Sequence, residues 1–600
     1  MSQQIEDATQ IHPRRTTVVS DYRGPEPNEP VLNISQYATP RPLGPIDLEL
    51  AGNEGSVPPK AVTDAIGALE GEDLRRYPDL SPLRNAIAER HEVDADRVLV
   101  TAGGDQAIDL LARAFLNGDR TLLTHEPSFV MIERAGRLAG GSVETIEWTR
   151  GSFPVDTFID AGNPDTALAV VVSPNNPTGT TMTADELRTV ASELAPALVV
   201  IDHAYVEFAD EDLTEVCLEL PNVAVIRTFS KAMGLAGTRV GYLLGPPNLV
   251  DWLRRIRSPY PVPTPSLVAA NERLDATDDV TGFIEAVRTN RKRLSEVLAS
   301  LGVDVYPSAA NFVLGEYRDA RWTFEGLASL GIRTRLFPDR PYLEDHLRIT
   351  IPGETEAIER VEHSLRTTLA PEAILFDLDG VLADVRESYR LAIIETAGEF
   401  GVEVTRDEIE TRKHAGDANN DWEVTHGFLE DAGVDVSFTE VKELFQAHYL
   451  GEDGERDPLY TRERLLGEQV LDSLTEAYPL GIVTGRPRED ADRFLDQAGI
   501  AEHFDAVVCM EDAPNKPEPD PVKIALDRLG ISRAWLIGDT PDDVRAARRA
   551  GVVPLGIVPP GGEEASTETA LLEAGAARVL DDLDELLELL SNATSEPRIS

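Results

Sequence analysis

Lys231 and Arg239 stand eight residues apart in 226-IRTFSKAMGLAGTRVGY-242, directly after an apolar run of strand length. A lysine amine there can form an imine with an aldehyde cofactor, once burial and nearby cations lower its pKa. Thr228, Ser230 and Arg239 add two hydroxyls and a guanidinium fork suited to a phosphate. Asp202 ends the run 197-ALVVID-202, where a carboxylate can pair with a pyridinium N–H and keep the ring an electron sink. Tyr205 follows within reach of the ring's phenolic oxygen, and Asn176, in the Pro/Gly-fixed turn 173-SPNNPTG-179, can donate to that same oxygen. In 101-TAGGDQAIDLLARAF-115, Gly104 and Asp105 open a helix whose N-terminus attracts an anion and whose glycines let the backbone approach closely. Each piece alone has an ordinary reading, as a helix cap, a turn or a helix start. Their order and spacing together carry the chemistry.

A second constellation lies downstream. Asp377 and Asp379 sit two apart in 374-ILFDLDGVL-382. The first can attack phosphorus to give an aspartyl-phosphate, and the second can protonate the leaving alkoxide and later activate water. Thr484, ending 480-LGIVTGR-486, offers a hydroxyl to a phosphoryl oxygen, and Lys516 in 514-PNKPEPD-520 can neutralise nucleophile and phosphate together. Asp539 and Asp543 in 535-WLIGDTPDDVRAA-547 complete, with Asp377 and Asp379, a hard oxygen set suited to Mg²⁺.

These residues need strands to end on and helices to start from, and the pattern supplies them. Strands are expected at 97-RVLVT-101, 168-LAVVVS-173, 197-ALVVID-202, 223-VAVIRT-228 and 240-VGYLLG-245. Between them, Ile108, Leu111, Ala112 and Phe115 repeat with helical period. Alternating strand and helix predicts α/β layers from about residue 36 to 368. The stretch 258-SPYPVPTPS-266 reads as neither helix nor central strand, because its prolines lack donors, and is the expected hinge from a large to a small domain. A short linker, 366-RTTLAPE-372, precedes a second α/β unit opening at 373-AILFDLDG-380.

Composition excludes several classes. The 600 residues exceed one hydrophobic core, and no run approaches the roughly 18 apolar residues of a membrane span. The polar N-terminus is not a secretory signal, and two distant cysteines, Cys217 and Cys509, argue for a reducing, cytoplasmic setting. The 106 acidic and 56 basic residues leave a net charge of −50, and only seven basic residues are lysines. Such a surface repels nucleic acid. It also repels itself unless salt screens it, with a Debye length of about 3 Å in molar salt. Acid spread along the whole chain with scarce lysine is the pattern of proteins from salt-accumulating archaea.

The first set of motifs, in this order, resembles the fold-type I pyridoxal-phosphate (PLP) aminotransferases, and within them the histidinol-phosphate aminotransferases. The shared pieces are 75-RRYPD-79, SPNNPTG, RTFSKAMGLAGTRVGY, 307-PSAANFVL-314 and 346-HLRIT-350, across roughly residues 45–365. The resemblance implies PLP on Lys231 and Tyr77 reaching the cofactor phosphate of a neighbouring subunit, hence a homodimer. It further implies that Arg348, helped by Arg335, holds the substrate's anionic group, and that glutamate is the amino donor. Three positions depart from the family. His203 replaces a glutamate in Asp-Glu-Ala-Tyr, Phe129 stands for the tyrosine that stacks on the ring, and the substrate edge around Asn53, 53-NEGSVPP-59, lacks its tyrosine.

The second set is similar to the haloacid dehalogenase (HAD) superfamily over 373–592. There Asp377-x-Asp379 favours phosphoryl transfer, and an insert at 385–468 resembles a helical cap. The implied fold class is a fold-type I PLP-transferase, with a large α/β domain (about 70–260) and a small α+β domain (about 36–69 and 261–368), followed by a Rossmann-like HAD core with a helical cap. An N-terminal arm, 1–35, and a tail, 593–600, flank them.

The two resemblances together predict a bifunctional enzyme making and then dephosphorylating histidinol phosphate in histidine biosynthesis. The rivals are an aminotransferase/phosphatase pair for another phosphorylated amino compound, a PLP decarboxylase, and, disfavoured by the acidic surface, a PLP-binding regulator.

Overall fold

The structure, a computed structural model, describes residues 25–37, 40–276, 278–416, 420–451 and 457–593, without the side chains of 414 and 415. Most of the expected arm and all but the first residue of the expected tail lie outside these residues. Within the arm, Glu29–Leu32 forms one helical turn.

The large unit is built on a seven-stranded sheet. Its order is Val98–Thr101, Gly241–Leu244, Val223–Thr228, Leu198–Asp202, Thr166–Val172, Thr121–Glu126 and Ser142–Glu147. All strands are parallel except Gly241–Leu244, which opposes both neighbours. Strands buried on both faces read as unbroken apolar runs, which is why the five expected strands are present. Helix Gly103–Phe115 buries Ile108, Leu111 and Ala112, with Phe115 half-buried. A Cβ on Gly241 would fall 2.7 Å from the Gly103 carbonyl carbon. Only a bare backbone lets that strand pass so close to the helix start.

The small unit carries an antiparallel sheet ordered Arg335–Leu336, His346–Thr350, Phe312–Glu316, Asp304–Val305. Leu48–Glu49 pairs in parallel with Ile332–Arg333 and so leads the chain toward Asn53. The proline-rich hinge differs in part from expectation, because helix Thr264–Asp275 begins inside it. Pro263 is the cap and Pro265 lies in the first turn, where a missing N–H breaks no helical bond. The expected linker is also mostly helix. Thr355–Leu369 runs through it, with Thr367 and Thr368 fully buried, and Ala370–Glu372 alone connects to the next strand.

The third unit is a six-stranded parallel sheet ordered Ala506–Val508, Leu480–Val483, Ala373–Phe376, Ala534–Gly538, Val553–Ile557, Arg578–Leu580. Between its first two strands in sequence, four helices form the cap: Tyr389–Glu399, Arg406–Ala415, Asp421–Asp431 and Phe438–Leu450. The paired strands Ala383–Asp384 and Arg464–Leu465 join cap to core.

A buried seam fuses this unit to the small unit. Trp322 and Trp535 lie edge to face at 4.7 Å, both fully buried. Their indole N–H groups donate to the carbonyls of Thr368 and Thr367 at 3.2 and 2.8 Å. Arg578 and Glu325 pair across the seam at 2.6 Å. Among the described residues no helix is long and apolar enough to cross a membrane. Both cysteines are buried and free.

Candidate active sites

The first site gathers at the C-terminal ends of the seven-stranded sheet. Asp202 closes its strand buried, accepts from Ala204 N at 3.1 Å, and is pushed up to about 7 by burial, with Asp105 adding to the rise and Lys231 opposing it. Lys231 Nζ lies 5.5 Å from the Tyr205 ring and donates to the Gly52 carbonyl at 2.9 Å. Asn53 Nδ2 donates to Tyr205 Oη at 3.1 Å, and the Thr350 hydroxyl donates to Asn53 Oδ1 at 3.0 Å. These bonds fasten Asn53, held left-handed at φ 54°, to both units.

A cluster of hydroxyl, N–H and guanidinium donors that could cradle a phosphate lies beside them. Thr228 Oγ1 donates to Ser230 Oγ at 2.9 Å next to the N-terminus of helix Gly103–Phe115, which opens on Gly103 and Gly104. Arg239, also left-handed at φ 54°, lies 2.8 Å from Asp105. The Arg239 side chain sits so close to Gly103 (φ +75°) that a Cβ there would meet it at 2.8 Å. A lysine, a buried carboxylate whose charge is costly without a cationic partner, and a cradle of N–H, hydroxyl and guanidinium donors fit PLP.

Arg348 is buried on strand His346–Thr350 of the small unit. Its Nη1 donates to Asn176 Oδ1 and its Nη2 to the Ala51 carbonyl at 2.5 Å, and burial lowers its pKa to about 10. Arg335 is its cross-strand neighbour. Phe129 is half-buried at the head of helix Val130–Leu138, and its loop is tied to the Asn176 turn by Asn175 Nδ2 donating to the Pro127 carbonyl at 2.9 Å.

Tyr77 is not drawn into this chain's site. It is 79% exposed and stacks on Tyr260 at 4.4 Å. His203, the departure from the family pattern, points into the protein body. Its Nδ1 pairs with the Ser173 carbonyl and its Nε2 accepts from Leu213 N at 3.1 Å. Burial holds it neutral, its pKa lowered to about 4. The substitution therefore stitches strand ends together and leaves Asp202 and Tyr205 in place.

The second site sits at the strand ends of the six-stranded sheet. Carboxylate oxygens of Asp377, Asp539 and Asp543 lie within 4.8 Å of one another, all buried. Lys516 Nζ bridges Asp377, at 2.8 Å, and Asp543, and also donates to the Val483 carbonyl at 3.1 Å. Asp543 is fixed by the capping box of helix Pro541–Ala550, accepting from the Thr540 hydroxyl at 2.6 Å. Burial first, then mutual repulsion with Asp543, drives Asp377 and Asp539 above the usual carboxylate range, with Lys516 opposing the rise at Asp377. Three crowded carboxylates with one lysine are a site wanting further positive charge, which a divalent cation fits. Thr484 is buried beside them, its hydroxyl accepting from Arg486 N at 3.2 Å.

Asp379 is the difference. Its carboxylate does not join the cluster but turns to Arg486 Nε at 2.5 Å. It faces a cleft with Tyr389, Asn420, Asp421 and Trp422 from the cap. Arg486, which has no role among the expected site residues, follows Thr484 by two residues in the same motif. Lys413 and Arg390, which flank Asp421 at 3.1 and 3.5 Å, likewise have no role among them. Nothing in their local sequence marks them.

An α/β enzyme with two strand-end sites, one for an aldehyde cofactor and one for phosphoryl transfer, is thus defined by the geometry. Residues 47–365 match the family model for aminotransferases of class I and II, and residues 374–557 that for haloacid dehalogenase-like hydrolases. The chain belongs to the class I and II aminotransferases and carries a HAD-type phosphatase unit fused behind.

Among its relatives, the histidinol-phosphate aminotransferase of Roseiflexus castenholzii is 34% identical over 56% of this chain and 94% of its own length. That of Xanthomonas euvesicatoria is 36% identical over 54% and 90%. The solved histidinol-phosphate aminotransferase of Sinorhizobium meliloti, in complex with pyridoxal-5'-phosphate, shares the fold, with a TM-score of 0.51 at 24% identity over 54% of this chain and 91% of its own.

Proposed function

We propose that this chain performs two consecutive steps on one phosphorylated amino compound, histidinol phosphate. The first is its formation by glutamate-dependent transamination, and the second its Mg²⁺-dependent hydrolysis to histidinol. The observation that carries this is the joining, on one chain, of an aminotransferase unit similar along nearly its whole length to histidinol-phosphate aminotransferases and a phosphatase unit retaining all six of its expected residues. A product released by the first site is then the substrate of the second.

PLP, when bound, supplies an electron sink next to the substrate Cα. Asp202 would hold the proton on the ring nitrogen, and Thr228, Ser230, Arg239 and the helix start at Gly104 and Asp105 would bind the phosphate. Lys231 Nζ moves the proton at Cα. Arg348 orients the anionic end of the substrate, with Arg335 behind it. At the other site Asp377 attacks phosphorus, Lys516 and Thr484 hold the phosphoryl oxygens, and Asp379 passes a proton to the leaving alkoxide, then takes one from the water that releases phosphate from Asp377. Asp377, Asp539 and Asp543 would hold Mg²⁺, and the cation would supply charge neutralisation. Tyr77 and Tyr260, the latter 49% exposed, form an aromatic pair open for a second copy, in keeping with a homodimer. A net charge of −50 supports a cytoplasm rich in salt.

A second reading, another phosphorylated amino compound, is favoured by one observation: the substrate edge after Asn53 lacks the family's tyrosine. Purified protein with PLP and Mg²⁺ in high salt, offered histidinol phosphate, phosphoserine and phosphoglycolate, separates the two. Histidinol phosphate should be transaminated at one site and dephosphorylated at the other. If it is inert at both while another amino phosphate turns over, the first reading fails.

A further inference from the structure

Arg486 is a cation placed where sequence gave it no role. Its side chain and that of Glu463 are each 1% exposed and the Asp379 side chain 19%, and Asp379 and Arg486 both line the cleft under the cap. Each of the three guanidinium nitrogens is engaged. Nε donates to Asp379 at 2.5 Å, and Nη1 and Nη2 donate to the two oxygens of Glu463 at 3.0 and 3.2 Å. The rings of Tyr389 and Phe494 wall it at 4.7 and 5.4 Å, and the Tyr449 hydroxyl donates to Glu463 at 3.2 Å.

Glu463 lies immediately before Arg464–Leu465, the strand that returns from the cap and pairs with Ala383–Asp384. That partner strand is itself tied to the Asp379 turn, with Gly380 N donating to the Ala383 carbonyl at 2.9 Å. Burying one guanidinium between two carboxylates is a poor route to stability, since desolvation offsets most of the attraction. What such a fork supplies is geometry: a planar, rigid donor set that fixes the carboxylate facing it.

We propose that Arg486 is the positioning residue for Asp379, anchored through Glu463 to the strands that join cap and core. This rests on Asp379 being the proton donor to the leaving group. Arg486 does not touch the reacting atoms; it holds the acid at the cleft wall in one orientation. A lysine in its place keeps the charge but cannot serve two carboxylates in fixed planes.

The test uses the full-length protein and two classes of phosphoester. Ethanolamine phosphate leaves as a strongly basic alkoxide that needs a proton, and p-nitrophenyl phosphate leaves as a weakly basic phenolate that does not. Arg486→Lys should lower kcat on the alkyl ester at least about tenfold more than on the aryl ester, with KM little changed, a fraction of the roughly 10²–10⁴ that positioned acids contribute. Glu463→Gln should show the same selectivity more weakly, which keeps the idea testable if an Arg486 variant fails to fold. Equal losses on both esters, in whichever variant folds, would overturn it. Asp379→Asn is the control. If that variant shows no preference between esters, the assignment of Asp379 itself is at fault.

Discussion

Lys231 Nζ donates a hydrogen bond to the Gly52 carbonyl at 2.9 Å, so the amine of the large unit rests on the small unit's leading segment. Its place near Tyr205 and the buried Asp202 is the ground for proposing it as the cofactor's attachment point. Lys231→Ala should abolish the visible absorption band of lysine-bound PLP and stop transamination, with phosphate release unchanged. A mutant that still absorbs and transaminates would point to another lysine.

Asp377 lies under Lys516 at the head of the carboxylate cluster. Asp377→Asn should slow phosphate release by more than about three orders of magnitude, the scale on which covalent nucleophiles matter. Transamination by the same preparation should persist. Near-normal phosphate release would reassign the nucleophile.

Asp202 links stability to pH. Its folded pKa, about 7, is above the ordinary 3.8, so between those values the folded apoprotein holds a proton that the unfolded chain has lost. Stability from this group is full below 3.8 and falls as pH rises toward 7, by on the order of 4 kcal/mol in total. The difference in melting temperature between wild-type and Asp202→Asn apoprotein should therefore move in the mutant's favour from pH 4 to 7. Addition of PLP should reduce that drift. A difference independent of pH would mean that Asp202 is not held protonated.

Arg348 already uses its fork on Asn176 and Ala51. Arg348→Lys keeps the charge but loses paired donors, and should weaken both half-reactions by about 1–3 kcal/mol, the range of hydrogen bonds to charged groups. Single-turnover rates with glutamate and with the phosphorylated substrate measure each half. An effect confined to one half would assign the other anion to Arg335.

Net charge sets the salt response. From dilute buffer to molar KCl, screening of carboxylate repulsion should raise both the melting temperature and the dimer fraction. Flat or falling values across that range would remove the salt-adapted reading.

Much of this was legible from sequence because the chemistry sits at the ends of buried parallel strands. Leu198–Asp202 is an apolar run that stops at Asp202, and Val223–Thr228 opens with four apolar residues just before Arg227 and Thr228. Two strands lack that signal: Ser142–Glu147 is an edge strand of mixed polarity with Ile146 alone buried, and Thr121–Glu126, though buried, carries Thr121, Thr124 and His125 among its apolar residues. Helix Thr264–Asp275 was hidden by prolines that suit a helix start as well as a loop. The Asp379–Arg486 bond joins residues 107 apart, and Glu463 has no local pattern at all. Such pairings arise from how strands are ordered in the sheet, and spacing along the chain does not encode them.

The tryptophan seam has a consequence for inheritance. A gene cut between Leu369 and Ala373 would leave Trp322 on one product and Trp535 on the other, each a large apolar face turned to water, together with the stripped ends of Thr367 and Thr368. Truncating one such indole to alanine in place costs about 3–5 kcal/mol, and severing the chain disturbs both sides at once. Once that face had formed, the two enzymes could be lost or duplicated together far more readily than parted, and the cell receives them in a fixed one-to-one ratio.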